Sequence, residues 1–212
     1  MHARQSKSAF LYQEVRHALR SGRYMPGQRI DPAALADEFN ASPTPVRFAL
    51  YRLVGEGLIA DHGRNGLHVP MPNEVLLRDQ YDWMRRLLLM ACAIHFAARP
   101  DLPMLAGELQ VAPLAEDLAR ATWLLFDAIA RAADHRSLHR AVEQVNDRLA
   151  PVRRIGLKLI DGSLEELSAL LHLGQQRDRR ALEAAIDAYH ARRVRLVPRI
   201  VASLADGGDF PR

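Results

Sequence analysis

DPAALADEFNASPTPVRFALYRLVGEGLIADHGRNGLHVP, residues Asp31 to Pro70, decides the fold. Asp31-Pro32 is a helix start, because the carboxylate can accept an orphan backbone N–H and proline fits the first helical position with φ already set. Leu35 and Phe39 fall on one face of a short helix. Asn40-Ala41 makes a turn, and Ser42 reads as the next N-cap, opening a helix in which Val46, Leu50, Leu53 and Val54 recur at apolar helical spacing. Pro43 and Pro45 lie in its first turn, where the N–H groups have no intrahelical partner to lose. The other face carries Thr44, Arg47, Tyr51 and Arg52, whose hydroxyl and guanidinium groups suit phosphate oxygens and base edges. Leu58-Ile59-Ala60 and Leu67-His68-Val69 then read as two strands around Asp61-His62-Gly63-Arg64-Asn65-Gly66, with Asn-Gly as the hairpin signal. Helix, turn, helix and hairpin in this order predict a winged helix-turn-helix. Arg64 is placed at the wing tip within reach of a phosphate backbone, and Gly66 permits close approach.

The segment PGQRIDPAALADEFNASPTPVRFALYRLVGEGLIADHGRNGLHV resembles the winged-helix domain of GntR-family transcription regulators, through its Ser/Thr cap, Thr-Pro-Val-Arg core and Gly-Leu-Ile before the wing. The resemblance spans residues 10 to 70. It implies that Ser42, Thr44, Arg47, Asn65 and Gly66 stand where that family touches DNA. Two positions depart from the pattern: the family usually has arginine where Pro43 stands, and often another where Ala33 stands. The family's usual guanine contact from the position after the cap is therefore missing.

Outward from this stretch, the apolar fraction of 49% suffices for a packed core, and the net charge of +4 is unevenly placed. Residues 1 to 72 hold nine Lys/Arg against six Asp/Glu, so basic charge sits with the proposed DNA reader. The single cysteine, Cys92, can form no intrachain disulfide and reads as core packing in a reducing cytoplasm. No stretch is long and apolar enough to span a bilayer, so neither secretion nor membrane insertion is indicated. Phe10 to Ser21 has the period of an amphipathic helix bracing the two that follow, and Arg29-Ile30 reads as a short strand completing the winged sheet. Pro70-Met71-Pro72-Asn73 marks the boundary between a DNA-binding domain over 1–70 and an all-helical domain over 74–212.

Beyond that boundary, helical spacing predicts helices at about 74–99, 114–133, 137–160, 164–176 and 178–205, with a short one near 104–109. Pro151 and Pro198 are expected to kink two of them. Apolar faces on this many helices are buried only against one another, so the fold class is mainly α: a winged helix-turn-helix followed by an antiparallel helical bundle. Trp83, Trp123 and Phe126 are placed in its core. Arg192-Arg193-Val194-Arg195 is expected to cover a helix surface or dimer rim.

RLLLMACAIHFAAR from Arg86, LFDAIARAADHRSL from Leu125, and Asp178 with the last helix and His190 are together similar to the effector domain of the FadR subfamily, known as FCD, closest in helix count to its VanR-like six-helix variant. In that family one Asp and three His hold a divalent metal. On this chain the four positions become Thr122, Phe126, Leu167 or its neighbour Ser168, and His190, so the expectation is no metal and no other cofactor. Arg86 matches an arginine near the family's ligand cavity, and an effector is expected to meet Arg86, Thr122, Phe126, Leu167 and His190. His135 and His139, four apart at a helix start, read as two solvated histidines.

No nucleophile with its base, carboxylate pair or metal set appears at catalytic spacing, so an enzyme is not indicated. The expected function is a cytoplasmic DNA-binding regulator, a repressor, whose bundle binds a small apolar or aromatic acid. Its partners are double-stranded DNA with a pseudo-palindromic operator and a second copy of the chain. The alternative is an effector-free DNA-binding and dimerisation protein whose bundle is filled by Phe126 and Leu167.

Overall fold

The computed structural model describes residues 7–99, 101, 103–105 and 117–206 and contains two compact units, Met1–Met71 and Pro72–Arg212. The first is built as α1 (Lys7–Arg20), β1 (Arg29–Ile30), α2 (Pro32–Glu38), α3 (Pro43–Gly55), β2 (Ala60–Asp61) and β3 (Leu67–His68). Asp31 caps α2 by accepting from the Ala33 amide at 2.9 Å, with Pro32 at the first helical position. The chain leaves α2 through Asn40 in the left-handed region at φ 46°, and re-enters helix at Pro43. Ser42 occupies the N-cap position, yet its hydroxyl makes no capping bond; the two prolines, which bring no N–H of their own, already remove donors from that turn.

One apolar cluster holds this unit together. Leu11, Val15 and Leu19 of α1 meet Leu35 of α2 and Val46, Leu50 and Leu53 of α3. Ile30, Ile59, Leu67 and Val69 close it from the sheet side. The antiparallel sheet has the order β1-β3-β2, with Ile30 and Asp61 flanking Leu67 and with Arg29 and Ala60 flanking His68. The strands are shorter than the periodicity predicts: β2 begins at Ala60, because the amides of Leu58 and Ile59 both turn back to the Leu53 carbonyl at the end of α3.

The second unit comprises α4 (Glu74–Ala98), α5 (Leu118–Ala132), α6 (Arg136–Lys158), α7 (Ser163–Gln175) and α8 (Arg179–Ala205), each close to its predicted span. The helix expected near 104–109 lies largely outside the described residues; Met104 and Leu105 form a turn. Side chains of Asn73, Asp117, His135 and Asp178 cap α4, α5, α6 and α8. The helix α4 packs on α8, α6 and α5, and α5 lies along α6. Pro151 and Pro198 are each contained within one continuous helix, α6 and α8. Among the described residues no helix is long and apolar enough to cross a membrane.

Candidate nucleic-acid interface and buried polar core

The apolar residues of α3 that build the core (Val46, Ala49, Leu50, Leu53) leave an opposite stripe at spacing i, i+3, i+4, i+7: Thr44, Arg47, Phe48 and Tyr51, all exposed. Phe48 is 68% exposed and Tyr51 57%, high values for large apolar rings. Phe48 carries no hydrogen-bonding group, so the hydroxyl and guanidinium pattern of this face does not point to it in the sequence. Ser42 lies exposed at the start of the same helix.

Arg52 behaves differently from the expectation. Its guanidinium stacks 3.8 Å above the Tyr12 ring and pairs with Glu56 at 3.3 Å, while the Tyr12 hydroxyl donates to Glu56 at 2.8 Å. This three-residue lock ties α1 to the end of α3 and holds Arg52 at its edge. The contact joins residues 44 apart in the chain, so no local pattern reveals it.

Between β2 and β3 the wing is a 3₁₀ turn over Gly63–Asn65, rather than a two-residue Asn-Gly turn. Asp61 accepts from the Gly63 amide at 2.9 Å, and the His62 amide donates to the Gly66 carbonyl at 3.0 Å. Positive φ falls on Gly63 and Gly66, with Asn65 outside the left-handed region. Arg64 and Asn65 are exposed on this turn. A Cβ at Gly66 would stand in ordinary contact, 3.4 Å, with the Arg29 Nε, so a second guanidinium lies alongside the wing and it is the φ of 83° that calls for glycine. In the sequence Arg29 reads only as a strand residue, since its approach to Gly66 depends on the pairing of β1 with β3.

In the helical unit, Thr122, Phe126, Leu167 and His190 are all buried. The Phe126 and His190 rings stack with centroids 5.6 Å apart, and Thr122 donates its hydroxyl to the Leu118 carbonyl at 2.7 Å. His190 donates from Nδ1 to the Ile186 carbonyl at 2.8 Å, which leaves a bare lone pair on Nε2, buried and without a partner among the described residues. Burial pushes the His190 pKa down to about 3, helped by the nearby Arg193, Arg153 and Arg85. One imidazole stacked on a phenyl ring, with a hydroxyl already engaged and an isobutyl group at the other two positions, is not a donor set for a divalent metal, so these residues do not fit the four-ligand site that the resemblance implies.

The structure does not bring Arg86 to this cluster. Its side chain is 59% exposed and its Nε bonds Asp82 Oδ2 at 2.6 Å. Two other arginines occupy the interior. Arg193, expected on the surface, is buried, with its guanidinium carbon 3.2 Å from the Tyr189 ring centroid and Nη1 2.6 Å from Glu166. Arg153 donates to Asn146 Oδ1 at 2.5 Å and stacks toward Phe126, and among the described residues no carboxylate pairs with it. Desolvation lowers its pKa from the ordinary arginine value. With Tyr81, Tyr189, Gly156 and Leu157, the two arginines line a cavity of about 10 Å³, room for a single water-sized group. Their signal in the sequence is weak, because an arginine on an amphipathic helix normally reads as solvated.

Two further residues stand away from their expected places. Trp83 is 48% exposed on α4 rather than buried, whereas Phe126 is in the core and the half-buried Trp123 donates its indole N–H to Asp147 at 2.9 Å. His139 is not solvated: its Nε2 lies 2.7 Å from Asp127 Oδ1, and Asp127 also accepts from Arg131. Asp127, His139 and Glu143 bring their ligand atoms within 4.8 Å of one another, with Asp127 already satisfied on both oxygens. His135 caps α6.

Comparison with known proteins bears on both units. Over 92% of this chain and 98% of the other, the fold superposes on E. coli McbR/YncC with a TM-score of 0.74 at 22% identity. A chain from Rhodococcus sp. RHA1, described as a candidate GntR transcriptional regulator, matches with a TM-score of 0.73 at 15% identity over 91% of this chain and 98% of its own. A GntR family member from Pseudomonas syringae pv. tomato str. DC3000 matches with a TM-score of 0.51 at 20% identity, over 94% of this chain and 88% of its own. At these identities the likeness is one of fold. No curated protein matches the sequence significantly. The family model of bacterial regulatory proteins, gntR family, matches residues 7–69, the span that runs from α1 through the wing. The N-terminal unit of this chain is a gntR-family winged helix-turn-helix domain.

Proposed function

We propose that the chain is a transcription repressor that binds a pseudo-palindromic operator as a homodimer and releases it on binding a small anionic effector in its helical unit. The observation that carries the DNA-binding half is the exposed stripe Thr44, Arg47, Phe48 and Tyr51 on α3, flanked by Arg64 and Asn65 on the wing, in a domain matched by the gntR family. Arg47 supplies a base-edge contact; Arg64 a phosphate contact; Ser42, Thr44, Asn65 and Gly66 complete the surface. A reader of only a few base pairs gains specificity by two-fold duplication, which supports the dimer. Selection of bound duplexes from a random pool is the test, and enrichment of an inverted repeat is the expected result.

The helical unit is read as an FCD-like effector domain without that subfamily's metal. A buried guanidinium with no carboxylate partner is costly, and an anionic ligand group beside Arg153 offsets that cost. Phe126 and Tyr189 give the rest of the ligand an aromatic contact, which suits a small aromatic or apolar acid. The small cavity favours a second reading, in which Phe126 and Leu167 fill the core and the unit serves dimerisation alone. Thermal melts against a panel of aliphatic and aromatic carboxylates separate the two. A saturable rise in Tm that Arg153→Met abolishes supports an effector; no rise with any acid supports the filled core.

A further inference from the structure

We infer that Phe48 is a specificity-determining residue that reads thymine through its 5-methyl group in the major groove. The inference rests on the DNA-binding reading of the N-terminal unit. Phe48 stands on the outward stripe of α3, between Thr44 one turn before it and Tyr51 one turn after it, and beside Arg47. At about 1.5 Å per residue the stripe from Thr44 to Tyr51 covers about 10 Å, the length of roughly three base-pair steps. Its ring is 68% exposed, while the core side of the helix is already completed by Val46, Ala49, Leu50 and Leu53. Packing of its own domain therefore does not account for it.

A phenyl ring donates and accepts no hydrogen bond. Against phosphate it gains nothing, and against the edges of guanine, cytosine or adenine it would cover polar groups that water otherwise satisfies. The thymine methyl is the one alkyl group that an unmodified duplex presents in its major groove, and phenylalanine is among the side chains suited to it. A benzyl group at this position thus selects thymine by attraction and disfavours the other bases by desolvation.

Deoxyuridine tests this directly, because it removes the 5-methyl and leaves the base-pairing edge intact. Duplexes enriched by the unaltered chain from a random pool are resynthesised with each thymine replaced in turn. At one or two thymines the affinity of the unaltered chain is expected to fall about fourfold, the amount set by one buried methyl-sized group. Phe48→Ala is expected to bind the thymine and uracil duplexes equally. If the unaltered chain binds its selected duplex and every thymine-to-uracil change is neutral, the assignment of Phe48 is overturned while the DNA-binding reading stands. If thymine dependence persists undiminished in Phe48→Ala, another side chain reads the methyl and the assignment is again overturned. A pool from which no sequence is enriched overturns the DNA-binding reading itself. The uracil arm needs no variant, so it is decisive even if Phe48→Ala folds poorly.

Discussion

His190 shows how a single buried group couples the core to pH. Its pKa of about 3 in the folded chain lies below the ordinary histidine value near 6.5, so below pH 6.5 the unfolded chain binds a proton that the folded chain does not. The stability associated with neutral His190 is fully present above about pH 6.5 and is lost as pH falls toward 3, at up to roughly 1.4 kcal/mol per pH unit. Urea denaturation between pH 7 and 4.5 should therefore show a shallower acid decline for His190→Leu than for the unaltered chain; parallel declines would contradict the assignment. Cys92 is governed by the same desolvation. Burial pushes its thiol up to about 12, so it should resist a thiol reagent at pH 8 until denaturant exposes it. Reaction at the rate of a free thiol in native buffer would show that the α4 interior opens. At this scale the sequence is least informative: Arg193 and Trp83 exchange their expected places because burial is decided by which helix lies opposite, and spacing along one helix does not contain that.

At the scale of elements, caps and turns are legible because their chemistry is local. Asp31-Pro32 starts a helix where the side chains predict, and Asp31→Ala should cost about 1 kcal/mol in chemical denaturation with little change in m. The wing is legible as a hairpin, whereas its turn differs from the Asn-Gly form because Asp61 bonds the Gly63 amide and draws three residues into a 3₁₀ turn. The recognition helix is legible by its apolar face, while its outer face is only partly so: Arg52 is held by Tyr12 and Glu56, a long-range contact that spacing cannot foresee. Helix and wing lead to different expected losses. Arg47→Ala should weaken DNA binding by about 1–3 kcal/mol at one salt concentration, and Arg64→Ala should lower the slope of log affinity against log salt by about one unit. Fluorescence anisotropy across a salt series measures both, and unchanged values in either variant would remove that residue from the interface.

For the whole molecule, two compact units divide the work on the reading proposed above, the first for DNA and the second for pairing and response. The division is visible in the sequence as the Pro70-Met71-Pro72 break, where β signal ends and long helical periodicity begins. Which cavity the bundle offers is not visible there, since the space beside Arg153 and Arg193 arises where three helices, α4, α6 and α8, close on one another. The function proposed above has this chain reading specific DNA in pairs. Analytical ultracentrifugation of the full chain with a duplex selected from a random pool tests it most directly. The expected result is a complex holding two protein chains per duplex, lost when one half of the inverted repeat is scrambled. A single chain per duplex, or equal binding to scrambled DNA, would contradict it.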